Sequence, residues 1–274
     1  MALSILNNIP ALVASNQLAV TGMQLQRTLF RMASGSRINS GADDAAGLAI
    51  ADGLRANISA LSQSARNAND GVGALQVADG ALAQVTALLN RAVTLATEAA
   101  TGTVSDTQRT ALDAEFTAIK NEITRIGTDT TFNATSVFTA STTSVFLSDA
   151  NSTSSITVTV GVLSSANVNG SNLSGNSLTS AANAQTAVTA LNGAIANVAA
   201  LRGTLGATIN RLQAAANVIQ NQVQNLTAAE DGIRAADVAQ EVGNLSRFSI
   251  LNQTGIAALA QANAQQQAVL ALLR

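Results

Sequence analysis

Hydrophobic positions recur along this chain in a helical rhythm over most of its length, and the rhythm changes near the middle. From Leu191, the residues Ile195, Val198, Arg202, Leu205, Ile209, Leu212, Ala216, Ile219, Val223 and Leu226 follow in alternating steps of four and three, with Arg202 the one polar member. Such spacing keeps a stripe on one side of an α-helix and predicts a coiled-coil seam about five heptads long. A second run, Leu54, Ile58, Leu61, Ala65, Ala68, Val72, Leu75, Asp79, Leu82, Thr86, Leu89 and Val93, keeps the same steps and is interrupted at Asp79 and Thr86. A third and shorter run, Leu112, Phe116, Ile119, Ile123 and Ile126, is opened by the capping-box pair Ser105 and Gln108 and closed by Gly127. The three seams predict helices that bury one another in a bundle.

Between Thr128 and about Ala182 the chain turns rich in Ser, Thr, Asn and Gly, and the run "SITVTVGV" (155–162), preceded by "SVFL" (144–147), has period two. A small hairpin is expected there. The fold class is therefore mainly α: a long, coiled-coil-like helical bundle with a small β-hairpin region in the middle of the chain.

The two ends differ from the bundle. Near the N-terminus Leu18, Gly22, Leu25, Leu29 and Met32 form one stripe, while Ile9, Val13, Asn16, Val20, Met23, Arg27 and Phe30 form another. Two stripes imply two packing partners. Near the C-terminus Val238, Val242, Leu245, Ser249, Asn252, Ile256, Leu259, Asn263, Gln266, Leu270 and Leu273 hold heptad steps with several polar members. No acid precedes Asp43 or follows Glu241, so these end helices carry little charge. They are expected to be marginal alone and to order on docking with copies of themselves.

Composition narrows the chemistry. The net charge is -2, and the fourteen basic residues, of which Lys120 is the one lysine, form no basic cluster, so neither nucleic acid nor an anionic membrane is expected as partner. The chain has no Cys and no His, which removes disulfides, thiolate ligands, the Cys nucleophile, the commonest acid/base and the commonest metal ligand. Only 2% of residues are aromatic, which suits thin, closely packed helices. The first twenty residues have no basic stretch followed by a sustained apolar one, so export is expected by a route other than a cleaved leader. No cofactor, metal site or enzyme activity is expected.

One stretch, "RINSGADDAAGLAIADG" (37–53), sets two adjacent acids before an Ala-rich run. Paired carboxylates serve as general acid and base, as metal ligands or as a helix start. Ser40 three residues before Asp43 fits a capping box, with the Ser40 hydroxyl accepting a first-turn N–H and the Asp43 carboxylate reaching back to the Ser40 N–H. Asp44 then meets the positive end of the helix dipole. A metal or acid/base role needs further ligands, and the next acid, Asp52, lies two turns on among Ala, Gly and Leu.

Taken together, "RMASGSRINSGADDAAGLAIADGLRANI", "SARNANDGVGALQVADGALAQVTALLNRA", "LRGTLGATINRLQ" and "ILNQTGIAALAQANAQQQAVLALLR" resemble the N- and C-terminal signatures of the bacterial flagellins, over roughly residues 1–138 and 185–274. The resemblance implies a structural subunit of the bacterial flagellar filament, secreted and extracellular, serving motility. It implies three parts: terminal helices in 1–42 and 236–274 that pair as the inner-tube coiled coil, a helical-bundle shell in 43–138 and 183–235, and a hairpin with a short outer segment in 139–182. The expected assembly seams are Leu25, Leu29, Met32, Leu245, Ile256, Leu259, Leu270 and Leu273, and the expected junction cap is Ser40, Asp43 and Asp44. The implied partners are further copies of the chain, the flagellar export apparatus, an export chaperone, and the hook-associated and cap proteins. The family's innate immune receptor face maps onto Arg91, Leu95 and Glu115. There "LLNRAVTLATEAA" places Val93 and Thr94 where the family pattern has Arg and Glu, so weakened receptor binding is expected. The alternatives are a hook-filament junction protein, which shares terminal helices of this type, and, from a different class, a monomeric helical-bundle carrier.

Overall fold

In the computed structural model, which describes residues 7–148 and 154–271, five helices enclose three short strand pairs in chain order. The helices are α1 (Ile9–Ser34), α2 (Ala45–Ala100), α3 (Asp106–Asp129), α4 (Ala181–Arg234) and α5 (Val238–Ala271). Between α3 and α4 lie β1 (Thr131–Phe132), β2 (Thr135–Ser136), β3 (Thr143–Phe146), β4 (Ser155–Val158), β5 (Leu163–Ser164) and β6 (Asn167–Val168). The chain forms two compact units, Asn57–Gln224 and the combination of Met1–Ala56 with Asn225–Arg274.

The seams of the first unit close as the heptads predict. Leu75, Leu82 and Leu89 of α2, Phe116, Ile119 and Ile123 of α3, and Leu191, Val198, Leu205 and Leu212 of α4 are all buried in one core. Each such side chain contributes about 1.5–3 kcal/mol by leaving water, and truncating the fully buried Phe116 to Ala would cost about 3–5 kcal/mol. The two charged interruptions of the sequence pattern turn out to be partners: Arg202 Nε donates to Asp79 Oδ1 at 2.7 Å and its Nη2 donates to Oδ2 at 3.2 Å. This bidentate hydrogen bond, with the Arg202 charge behind it, holds the Asp79 carboxyl below its usual 3.8. An 18-residue window of α2 has a mean hydropathy of 1.4, enough by length and composition for a membrane span; in this unit its Leu and Val side chains supply the bundle core.

Buried Arg109 joins the end of α2 to the start of α3. Its guanidinium donates to the carbonyls of Ala99 and Thr101 at 2.9 Å each and to Asp106 at 2.8 Å, satisfying helix-end carbonyls that would otherwise lack partners. The capping box is present, with Ser105 and Gln108 each bonding the other's backbone N–H. Gly127 does not end α3 as expected; the helix continues to Asp129 with Thr130 as its cap. Gly127 is a close-approach position, since a β-carbon there would collide with the carbonyl oxygen of Leu163.

Strands β3 and β4 pair antiparallel from Thr143↔Val158 to Phe146↔Ser155, the hairpin that the period-two runs predict. The pairs β1–β2 and β5–β6 hold only two residues each, too short to leave a periodic signal. The β1–β2 turn is Asn133–Ala134, with φ of 49° and 60°, the left-handed geometry a two-residue hairpin demands. The β5–β6 pair buries Leu163 and Val168, and the irregular stretch between it and α4 buries Leu173 and Leu178. It is pinned to α3 by Lys120 Nζ, which donates to the Asn176 carbonyl at 2.8 Å, and by the Leu178 N–H, which donates to Asp113 at 2.6 Å.

Candidate functional site

The second unit is built around a junction where chain segments some two hundred residues apart meet. Helix α1 is started by Asn8, whose side chain accepts the Ala11 N–H, and stopped by Gly35 in the left-handed region at φ 67°. The residues just past it pair with the segment linking α4 to α5: Ala236 N–H donates to Gly35 O at 2.9 Å, Arg37 N–H donates to Arg234 O at 2.6 Å, and Ser36 and Ala235 form an antiparallel bridge. Asp237 then caps α5 by accepting the Gln240 N–H at 3.1 Å.

The acid pair sits at this junction, and its division of labour differs from the expected capping box. Helix α2 begins at Ala45, and its cap is Asp44, which accepts the Gly47 N–H at 2.8 Å. Ser40 is four residues too early to accept a first-turn N–H; its hydroxyl donates instead to Asp43 Oδ2 at 3.0 Å. The same oxygen accepts the Ser40 and Asn39 N–H groups at 3.0 and 3.2 Å, closing a separate turn before the helix. Led by the Ser40 hydroxyl, these donors hold the Asp43 carboxyl below its usual 3.8. Among the described residues no three acids gather in an arrangement able to hold a metal ion.

Two residues at the junction escaped sequence reasoning. Arg31 of α1 reaches Asp43 Oδ1 at 3.7 Å and Glu241 Oε1 of α5 at 3.5 Å, and the Glu241 side chain is only 9% exposed. The signal was available: Asp43 and Glu241 bound the acid-free ends of the chain, and Arg31 is a cation one turn before the loop that leads to Asp43.

Above all, the unit pairs α1 with α5. Their seam overlaps the expected one and is turned slightly from it. On α1 the covered positions are Ala11, Ala14, Leu18, Thr21, Gly22, Leu25, Thr28, Arg31 and Met32; on α5 they are Glu241, Asn244, Leu245, Phe248, Ser249, Asn252, Gly255, Leu259, Ala262 and Gln266. Thr21 and Thr28 are 5% and 4% exposed. Thr21 tolerates burial because its hydroxyl bonds the Gln17 carbonyl of its own helix at 2.8 Å, which leaves a methyl for packing. Counting only apolar residues passes over such threonines. Small residues bring the backbones close: a β-carbon on Gly255 would lie 3.2 Å from Leu18 Cδ1.

Of the expected seam residues, Leu25, Met32, Leu245 and Leu259 lie on this covered side. Leu29, at 48% exposed, and Ile256, at 54%, do not; the slight turn of the seam puts both on uncovered flanks. Only the helical backbone of Leu270 is described, and Leu273 lies outside the described residues. The second N-terminal stripe, Ile9, Val13, Asn16, Val20, Met23, Arg27 and Phe30, is exposed along its whole length, with Phe30 the most open of its hydrophobic members at 71%. Helix α5 adds exposed Val238, Val242, Ile250 and Leu251. Arg91 and Glu115, by contrast, form an ion pair of 2.8 Å in the other unit, while Leu95 is 1% exposed. Leu95 therefore belongs to the bundle core and is no part of an accessible receptor face.

A thin closed seam flanked by an apolar and almost charge-free outer surface defines a self-associating helical protein, since single soluble chains seldom leave so much contiguous apolar surface in water. Comparison with known proteins makes that class specific. The model of the bacterial flagellin N-terminal helical region matches residues 5–143, and that of the C-terminal helical region matches residues 188–273. A flagellin of Halalkalibacterium halodurans is 38% identical over 269 residues, covering 98% of each chain. A flagellar filament 30.7 kDa core protein of Treponema maltophilum is 33% identical, covering 97% of this chain and 98% of its own. The crystal structure of Bacillus cereus flagellin is 31% identical, with a TM-score of 0.49, over 60% of this chain and 94% of its own. The chain belongs to the bacterial flagellin family. It is a structural protein, a subunit of the extracellular flagellar filament.

Proposed function

We propose that the filament is held together through the uncovered flanks of α1 and α5, and that 1–42 with 236–274 form its inner tube, 43–138 with 183–235 its shell, and 139–182 a short outer segment. The observation that carries this reading is the exposed heptad stripe from Ile9 to Phe30, which has the spacing of a coiled-coil seam and, among the described residues, no helix upon it. Open head-to-tail repetition of such a contact yields a helical polymer and not a closed ring. In this reading Leu25, Met32, Leu245 and Leu259 hold the α1–α5 pair together, while Leu29 and Ile256 meet neighbouring copies. Ser40, Asp43 and Asp44 fix the direction in which the chain leaves that pair. The subunit performs no catalysis; its work is mechanical.

Terminal helices with so little buried area suit a chain passed unfolded through the flagellar export apparatus with a chaperone and ordered on arrival, with hook-associated and cap proteins as neighbours at the filament ends. Weakened recognition by an innate immune receptor is read from Val93 and Thr94 standing where the family pattern has Arg and Glu, Val93 half-buried against the core and Thr94 exposed, and from the core position of Leu95. Electron microscopy of seeded, purified protein in a precipitating salt such as sulfate, which strengthens apolar burial, tests the assembly reading. Filaments from the intact chain and none from a chain lacking residues 245–274 are expected. Equal behaviour of the two would overturn it.

A further inference from the structure

The chain has two Asn-Gly steps, Asn169–Gly170 and Asn192–Gly193. Such a step has a chemistry of its own: with no β-carbon on the glycine, its backbone nitrogen can reach the carbonyl carbon of the preceding side-chain amide. Asn192–Gly193 lies inside α4, where the Gly193 N–H belongs to the helix ladder. Asn169–Gly170 lies outside any helix, in the turn after β6, with φ of 45° and 94°. It is the two-residue turn that favours Asn-Gly, closed by Val168 N–H donating to the Ser171 carbonyl at 2.8 Å and Ser171 N–H donating to the Val168 carbonyl at 3.1 Å. Both reacting groups are engaged there. The Gly170 N–H donates to Asn167 Oδ1 at 2.7 Å, so the nucleophilic nitrogen keeps its proton. Asn169 Nδ2 donates to the Asn197 carbonyl of α4 at 3.0 Å, which holds the amide against the helix, and Asn197 Nδ2 donates to Ser171 Oγ at 3.0 Å as a second tie.

We propose that Asn169 is a site of spontaneous deamidation that the folded turn keeps dormant, and that opening of the turn is the trigger. Once the two hydrogen bonds part, the Gly170 nitrogen gives its proton to solvent base and attacks Asn169 Cγ. The new N–Cγ bond closes a five-membered imide, the Cγ–Nδ2 bond breaks, and Nδ2 takes up a proton and leaves as ammonia. Water then adds to either imide carbonyl and reopens the ring as aspartate or isoaspartate at position 169. The product cannot restore the turn's tie to α4: a carboxylate in place of the amide has no donor for the Asn197 carbonyl and sets a negative charge against its oxygen. The modification thus marks, irreversibly, chains in which this turn has opened.

The experiment incubates the unassembled full-length chain at mildly alkaline pH, folded and in urea, and quantifies asparagine, aspartate and isoaspartate at positions 169 and 192 by peptide mass spectrometry. Folded wild type is expected to keep Asn169, and the chain unfolded in urea to lose Asn169 and Asn192 at similar rates. Asn167 is exposed, so Asn167→Ala is expected to stay folded, which circular dichroism checks. By freeing the Gly170 N–H it should speed loss at position 169 on the order of fivefold, the worth of one hydrogen bond, and leave Asn192 unchanged. Asn167→Asp keeps an acceptor oxygen at that place and should behave like wild type. Equal loss of Asn169 from folded and unfolded wild type, no loss in urea, or a folded Asn167→Ala that matches wild type at position 169 would each overturn the proposal. Should Asn167→Ala lose helical content, wild type in rising urea decides: loss at position 169 that quickens before the helices melt supports opening of the turn, and loss that quickens only with melting overturns it.

Discussion

Ala134 carries a β-carbon on a left-handed backbone, which glycine occupies at no steric cost. The two-residue turn between β1 and β2 favours Asn-Gly, and this chain has Asn-Ala. Ala134→Gly should therefore raise the stability of its unit by roughly 0.5–1 kcal/mol, after allowing for the extra freedom glycine gives the unfolded chain; a lower thermal midpoint would refute it. At the junction the effect runs the other way. Asp44→Ala removes the cap of α2 and should cost about 1 kcal/mol. Asp43→Ala opens the Ser40 turn, and the double variant should form filaments poorly or with altered stiffness. Normal filaments by electron microscopy would separate the acids from assembly. These residues also show where sequence reasoning ends. That the acids serve a helix start and not a metal was legible from the lack of other ligands; which acid caps was not, because the helix begins four residues later than Ser40 suggests, leaving Asp44 at the cap and Asp43 in the turn before it.

Between α2 and α4 the scale is that of elements. The interruptions at Asp79 and Arg202 were each visible as a defect in a heptad pattern, but their pairing depends on the register of one helix along the other, which no single seam encodes. Both side chains keep over a third of their surface in water, so Asp79→Leu should cost only roughly 1 kcal/mol, whereas Asp79→Leu with Arg202→Leu should equal or exceed wild type. A double variant less stable than the single one would contradict this. The folded-state pKa of Asp79 is depressed, so its contribution is complete above the usual carboxylate value and is lost as pH falls through the lower folded one. Acid titration of stability should show that loss in wild type and a smaller one in Asp79→Leu. Where sequence misled, a small residue had two meanings. Gly127 reads as a helix stop and is a docking point for Leu163, and Thr21 and Thr28 read as polar and are core. The β3–β4 hairpin was legible because four residues per strand suffice to show alternation; two do not.

For the molecule as a whole, apolar burial is concentrated in one unit, whereas the α1–α5 pair leaves much of its hydrophobic surface outside. Hydrogen exchange of unassembled chains should accordingly find the amides of α1 and α5 far less protected than those of α3 and the middle of α4, and assembly should slow the terminal helices most. Equal protection of all helices before assembly would contradict this. The Asp79–Arg202 pair has a further meaning in a long polymer under load. Antiparallel helices with uniform apolar seams can creep past one another by a heptad, because each step finds an equivalent hole. Here a slip of seven residues would set Arg202 against Val72 or Thr86 and strand a charge. The pair acts as a detent: the two helices resist sliding in discrete steps, so tension applied along one is handed to the other without permanent lengthening.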